Sequence, residues 1–143
     1  MNNPFTLKGL IFFVLLLSFT GCEKDTEDPN KLLIGTWNQV STHIINYYDN
    51  VKTSDITNTY SMGEYVLEVY DNGTASRFHN GKIAGSYYWS VEGDILILTW
   101  DTGVVQKNEY SVDDTSLTLR WAVVETIDGH TARSEYESSY NRE

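Results

Sequence analysis

The chain has 143 residues but only one cysteine, two prolines and ten lysine and arginine residues. A lone cysteine excludes a disulfide within the chain, so packing must supply the stability of the fold. The ten basic residues stand against 20 Asp and Glu residues, which gives a net charge of −10. Nucleic acid requires basic patches that such an acidic chain lacks, and we interpret the acidity as an aid to solubility. No segment after residue 30 shows the period of an amphipathic helix.

Catalytic motifs are also scarce. The sequence has neither a Gly-x-Ser-x-Gly elbow nor a phosphate-binding loop. His43, His79 and His130 do not have the spacing of metal ligands, so we expect no metal site. Asp101-Thr102-Gly103 resembles the loop of aspartic proteases, but Val104 replaces the usual Thr, Ser or Ala, and Asp-Thr-Gly also suits a hairpin turn. The sequence therefore predicts a protein that is not an enzyme, with no catalytic residue and no cofactor.

The N-terminal segment combines one positive side chain with a short apolar run that ends at Cys22. Lys8 precedes an uncharged stretch from Gly9 to Cys22, which is shorter than the roughly 20 residues of a membrane-spanning helix. A charged start, a short apolar core and small residues before the cut are typical of an export signal. The segment resembles the signal of bacterial lipoproteins, which implies lipidation at Cys22. An ordinary signal peptide or signal anchor with an incidental cysteine is the alternative.

The lipoprotein interpretation sets the domain boundaries and the location. We expect a lipoprotein signal peptide in residues 1–21, an acidic flexible tether in residues 22–30 and a single β-barrel domain in residues 31–143. An acylated Cys22 implies a membrane partner and a lipid anchor in the outer membrane of the cell envelope. The Lys and acidic residues after Cys22 resemble the signal that sends some Bacteroidota lipoproteins to the cell surface. A plain solvated spacer is the alternative, so the protein is either periplasmic or surface-exposed.

After residue 30 the chain shows short strand patterns separated by Gly, Asn and Asp turns, with Asn80-Gly81 the strongest hairpin signal. Eight strands are predicted, and their limits are 32–45, 65–70, 74–79, 82–91, 95–100, 104–112, 116–125 and 131–142. Short links make an antiparallel meander, and closure removes its two edges. The predicted fold is all-β, an eight-stranded antiparallel up-and-down barrel, with a two-sheet sandwich as the alternative. The long connection, residues 46–63, is predicted to be a loop at the open mouth, either a lid or a plain mobile loop.

Short motifs in residues 31–143 resemble those of lipocalin-like proteins. Gly35-Thr36-Trp37 resembles the Gly-x-Trp motif of lipocalins, and Tyr140-Asn141-Arg142 is similar to the ending of lipocalin-like domains in Bacteroidota lipoproteins. Other motifs of the same pattern are Asp71-Asn72-Gly73-Thr74, Gly85-x-Tyr87-x-Trp89 and Leu117-x-Leu119. The resemblance implies that Trp37 plugs the closed end of the barrel and that Arg142 stacks on its indole. Gly35, Trp37 and Arg142 are therefore the predicted barrel-closure residues.

Alternation along the strands assigns a set of aromatic side chains to the inside of the barrel. The candidate ligand-binding residues are Tyr65, Tyr87, Trp89, Trp121 and Tyr136. Tyr and Trp rings carry a polar atom, so such an interior suits a small amphipathic molecule. We hypothesise a lipid-anchored envelope protein whose lipocalin-like barrel binds a small amphipathic or hydrophobic molecule. The alternative is a protein–protein interaction module, an envelope adaptor or inhibitor, whose barrel is filled by these rings.

Overall fold

The structure is a computed structural model that describes residues 29–143, and the predicted signal peptide and Cys22 lie outside the described residues. The described chain starts with a helix, α1 (Pro29–Leu33), which is too short for its period to be visible in the sequence. Nine strands follow, namely β1 (Gly35–Tyr48), β2 (Val51–Thr59), β3 (Tyr65–Val69), β4 (Thr74–His79), β5 (Lys82–Glu92), β6 (Ile95–Trp100), β7 (Val105–Val112), β8 (Ser116–Ile127) and β9 (His130–Arg142). Between residues 29 and 143, no helix has the length and hydropathy of a membrane span.

Strand β1 and the strands from β3 to β9 form a closed antiparallel barrel of eight strands. Consecutive strands pair from β3 to β9, and β9 returns to pair with β1 from Trp37↔Arg142 to Tyr48↔Ala132. The predicted all-β, up-and-down barrel is confirmed. All the strands of this closed ring, and the buried core within it, lie in residues 33–142, so a chain of residues 23–143 contains every contact that defines the fold.

The segment predicted to be a loop over the mouth, residues 46–63, contains the end of β1 and the whole of β2, so the prediction of a loop without structure of its own is wrong. β2 forms a hairpin with the second half of β1, from Ser41↔Thr59 to Tyr48↔Val51. The turn between them consists of Asp49 and Asn50, whose φ angles are 48° and 66°. Two successive left-handed residues make the tight hairpin turn that matches strand twist, and this pair lacks the glycine that usually signals it.

Four strands continue beyond the barrel. β7 pairs with β8 only as far as Glu109↔Arg120, whereas β8 and β9 stay paired to the turn that joins them. We call the outer parts of β1, β2, β8 and β9 the sheet extension. Its two hairpin ends are tied together, because the Asp49 carboxylate accepts a 2.9 Å hydrogen bond from the Thr131 N–H and lies 2.6 Å from His130 Nδ1.

The apolar core fills the barrel next to α1. Its most buried large side chains, each less than 2% exposed, are Leu33, Trp37, Leu67, Leu96, Leu98, Leu117 and Leu119. Burying a Leu side chain contributes about 1.5–3 kcal/mol. This layer therefore supplies much of the stability of a chain that has no disulfide. We call this end, where α1 enters β1, the closed end. The opposite end, where the sheet extension begins, is the mouth.

Candidate functional site

The closed end is built around Trp37 and Arg142. Trp37 is fully buried, and its indole N–H donates a 2.8 Å hydrogen bond to the Leu33 carbonyl. The Arg142 guanidinium carbon lies 4.3 Å from the centroid of the Trp37 ring. The guanidinium also donates hydrogen bonds to the carbonyls of Leu32 and Ile34, at 2.5 and 3.1 Å. Arg142 therefore joins α1, the first strand and the last strand at one point.

Gly35 provides the space for that guanidinium. A Cβ at this position would lie 2.9 Å from Arg142 Nη1, closer than a side chain tolerates, and the φ angle of Gly35 is +147°. Glycine adopts this φ angle readily, and it has no Cβ that would collide with the guanidinium. The structure therefore brings together all three predicted closure residues, Gly35, Trp37 and Arg142.

At the mouth, the structure brings together Trp121 and Tyr136. Their rings stack with centroids 4.9 Å apart and planes 5° apart. Tyr136 pairs across the strands with Ile44, and Ile44 pairs with Ile56 on β2. We call Ile56, Ile44, Tyr136 and Trp121 the apolar row. It crosses the inner face of the sheet extension, and Ile56 at its end is 49% exposed.

Tyr65 has different partners. Its ring stacks on His79 with centroids 4.4 Å apart and meets Tyr60 edge-on at 4.8 Å. Tyr65 begins β3 and His79 ends β4, so both lie at the mouth end of their strands. All three aromatic side chains carry a polar atom, and Tyr60 and Tyr65 are half-buried. The mouth therefore has a second aromatic group besides the apolar row.

Tyr87 and Trp89 share a face of β5 but lie at different depths. Tyr87 is 5% exposed and meets Trp100 edge-on at 4.8 Å. The Trp89 indole donates a 2.8 Å hydrogen bond to the carbonyl of Tyr70, which follows β3 at the closed end. Alternation gives the face of a residue but not its height in the barrel. The structure therefore separates Trp89 from Trp121, and Trp89 is not part of the mouth.

Polar side chains also lie inside the barrel; alternation along the last strand places Ser138 and Tyr140 there, whereas Gln39, Thr42 and Arg77 were not identified from the sequence. The Gln39 amide donates to the Thr42 and Ser138 hydroxyls at 2.6 and 3.1 Å, and those two hydroxyls lie 3.1 Å apart. Tyr140 is 2% exposed, and burial raises the pKa of its phenol, while the nearby Arg77 guanidinium acts to lower it. We call Gln39, Thr42, Arg77, Ser138 and Tyr140 the interior polar cluster. Alternation with outward residues on β1 and β4 is the signal that could have revealed Gln39, Thr42 and Arg77.

The outer face of the same strands carries charges. A groove of about 350 Å³ lies over β1, β7, β8 and β9, and its lining includes Trp121 and Tyr136 besides the charged residues. Across it, Arg120 Nε and Glu137 Oε2 are 2.5 Å apart, and Arg133 pairs with Glu135. In the described part of the chain, no group of three or more His, Cys, Asp and Glu side chains is placed to hold a metal ion. Glu109 also lines the groove, so its three glutamates outnumber its two arginines.

No protein-family model and no curated protein matches this chain. The resemblance of its motifs to lipocalin-like proteins therefore remains a proposal, whereas strand pairing shows the barrel directly. Function must be inferred from the side chains at the mouth and inside the barrel.

Proposed function

We propose that this chain is a lipid-anchored protein of the bacterial cell envelope whose lipocalin-like barrel binds a small amphipathic molecule at its mouth. The observation that carries the proposal is the apolar row, with its stacked Trp121 and Tyr136, beside the interior polar cluster. An apolar surface next to convergent polar groups is the usual composition of a small-molecule site. The closed end, plugged by Trp37, leaves the mouth as the way in.

The anchor belongs to the same proposal. The described chain begins at Pro29, seven positions after Cys22, and enters the barrel at the closed end. A lipid on Cys22 holds the closed end nearer the membrane, with the mouth at the far end. Replacement of Cys22 by Ser should abolish labelling with a fatty acid analogue, whereas the unchanged chain should be labelled. Equal labelling of both would contradict the lipid anchor.

The binding claim is tested with a chain of residues 23–143 and the neutral fluorescent probe N-phenyl-1-naphthylamine. We expect saturable binding at micromolar concentration. Trp121→Leu should weaken it about tenfold, since stacked aromatic surface contributes on the order of 1 kcal/mol or more. Trp89→Leu is the matched control, because its indole lies toward the closed end, and it should leave the affinity unchanged. Equal effects of the two substitutions would contradict a site at the mouth.

A second candidate function is a protein–protein interaction module. The outer groove favours it, together with the outward-facing Tyr88, which is 64% exposed. Exposed aromatic and arginine side chains are common at protein interfaces. The same titration separates the two functions, since an interaction module predicts no saturable binding of the probe. That result would overturn the ligand-binding proposal and favour the groove.

A further inference from the structure

Arg77 places a positive side chain inside the barrel. It lies on β4, where it pairs with Leu67 on one side and Gly85 on the other. Leu67 is fully buried, and Ala75, two positions before Arg77 on the same face, is 1% exposed. The side chain is half-buried, and its guanidinium interacts with the Tyr140 hydroxyl on β9, which β3 and β1 separate from β4 in the ring of strands. Arginine is an unusual occupant of such a position.

No carboxylate of the described chain neutralises this charge. The ion pairs in residues 29–143 involve other cations, namely His43, Lys52, Arg120, His130 and Arg133. The Nε atom of Arg77 is buried and has no hydrogen-bond partner. The nearest aromatic face is that of Tyr87, 5.8 Å from the guanidinium carbon, close to the outer limit of roughly 6 Å for a cation–π contact. The neighbours of the guanidinium are thus the uncharged side chains of Tyr87 and Tyr140, and no anion of the described chain offsets its charge.

The groups around Arg77 favour an anion over a cation. The Tyr140 hydroxyl lies beside Ser138 and the Arg77 guanidinium, and burial raises the pKa of its phenol; a phenol hydroxyl is a hydrogen-bond donor. The Tyr87 hydroxyl lies over Gly85, the cross-strand neighbour of Arg77, in space that a side chain would occupy. A guanidinium with hydroxyl donors beside it matches the planar oxygens of a carboxylate.

We propose that Arg77, with the hydroxyls of Tyr87 and Tyr140, binds the carboxylate of an amphipathic acid inside the barrel. The inference rests on the proposed function and names its ligand class, an aliphatic carboxylate. The carboxylate lies at Arg77, and the apolar tail leaves through the mouth along the apolar row. That row ends in the exposed Ile56, so it provides apolar surface from the interior to solvent. The net charge of −10 repels an anion at long range, and the positive charge of Arg77, which is adjacent to the carboxylate, offsets that repulsion.

The test compares two probes of equal length, octanoate and octanamide, by isothermal titration calorimetry on the chain of residues 23–143. The unchanged chain should bind octanoate at least tenfold more tightly than octanamide, and this comparison needs no variant. Equal affinities would overturn the carboxylate inference while leaving amphipathic binding intact. Binding of neither probe, with no binding of N-phenyl-1-naphthylamine, would instead overturn the proposed function.

Two variants assign the preference to Arg77. Arg77→Met should bind octanoate and octanamide equally, whereas Arg77→Lys, which keeps the charge, should retain part of the preference. Arg120→Met is the matched control, since Arg120 is an exposed arginine on the outer face. This variant should prefer octanoate over octanamide as strongly as the unchanged chain does. Circular dichroism melting identifies any variant that fails to fold. Loss of the preference in Arg120→Met but not in folded Arg77→Met would move the site to the outer groove and contradict the inference.

Discussion

The contact between Trp37 and Arg142 should stabilise the barrel measurably. Arg142→Met removes a guanidinium that lies 4.3 Å from the indole centroid and donates to the carbonyl of Leu32 in α1 and to that of Ile34 just after it. Each hydrogen bond contributes about 1 kcal/mol and the cation–π contact about 1 kcal/mol, so we expect a loss of about 3 kcal/mol in unfolding free energy. Arg120→Met, which removes an exposed ion pair, should cost less than about 1 kcal/mol.

A double-mutant cycle isolates the contact itself. Trp37→Leu should cost about 2–4 kcal/mol, because the indole is fully buried and its replacement leaves a cavity. The double variant should cost less than the sum of the two single variants by about 1 kcal/mol, since the side chains touch. Urea unfolding followed by far-ultraviolet circular dichroism gives all four values. A coupling indistinguishable from zero would refute the idea that this pair closes the barrel.

Two further predictions concern Gly85 and Asp113. A Cβ at Gly85 would overlap the buried Tyr87 hydroxyl, so Gly85→Ala should lower the free energy of unfolding in urea by about 1–3 kcal/mol. Equal urea midpoints for Gly85→Ala and the outward Ser86→Ala would contradict this. The Ser116 hydroxyl and the N–H groups of Thr115 and Ser116 hold the pKa of Asp113 well below its ordinary value. Its stabilising effect is thus present above about pH 4 and lost as the pH falls further. Asp113→Asn should melt below the unchanged chain at pH 7, with the gap closing toward pH 2; a constant gap would contradict this.

Turn chemistry made most of the barrel predictable from the sequence. Asn80-Gly81 and the Gly-containing turns separate strands that the structure retains, because glycine alone adopts their left-handed backbone at no cost. Strand β2 was missed because its hairpin turns at Asp49 and Asn50 without a glycine. The position of Ile56 beside Ile44, at the end of the apolar row, was therefore not predicted, because Ile56 belongs to that strand.

The interior was less predictable, because strand alternation carries no information on depth. Trp89 and Trp121 have equivalent positions in their strand patterns, yet one lies toward the closed end and the other at the mouth. Arg77 was missed because arginine normally faces water. The register also shifts between Arg77 and Phe78, so the face of Arg77 could not be carried over from the residues that follow it.

The most direct test of ligand binding at the mouth uses the indole N–H signals of the four tryptophans. The chain of residues 23–143, labelled with ¹⁵N, is titrated with octanoate and followed by two-dimensional NMR. We predict that the Trp121 indole signal shifts saturably. The indole signals of Trp37 and Trp89, which are bonded to the carbonyls of Leu33 and Tyr70, should stay in place. An unmoved Trp121 indole, with shifts confined to the backbone of Arg120 and Glu137 in the outer groove, would contradict binding at the mouth.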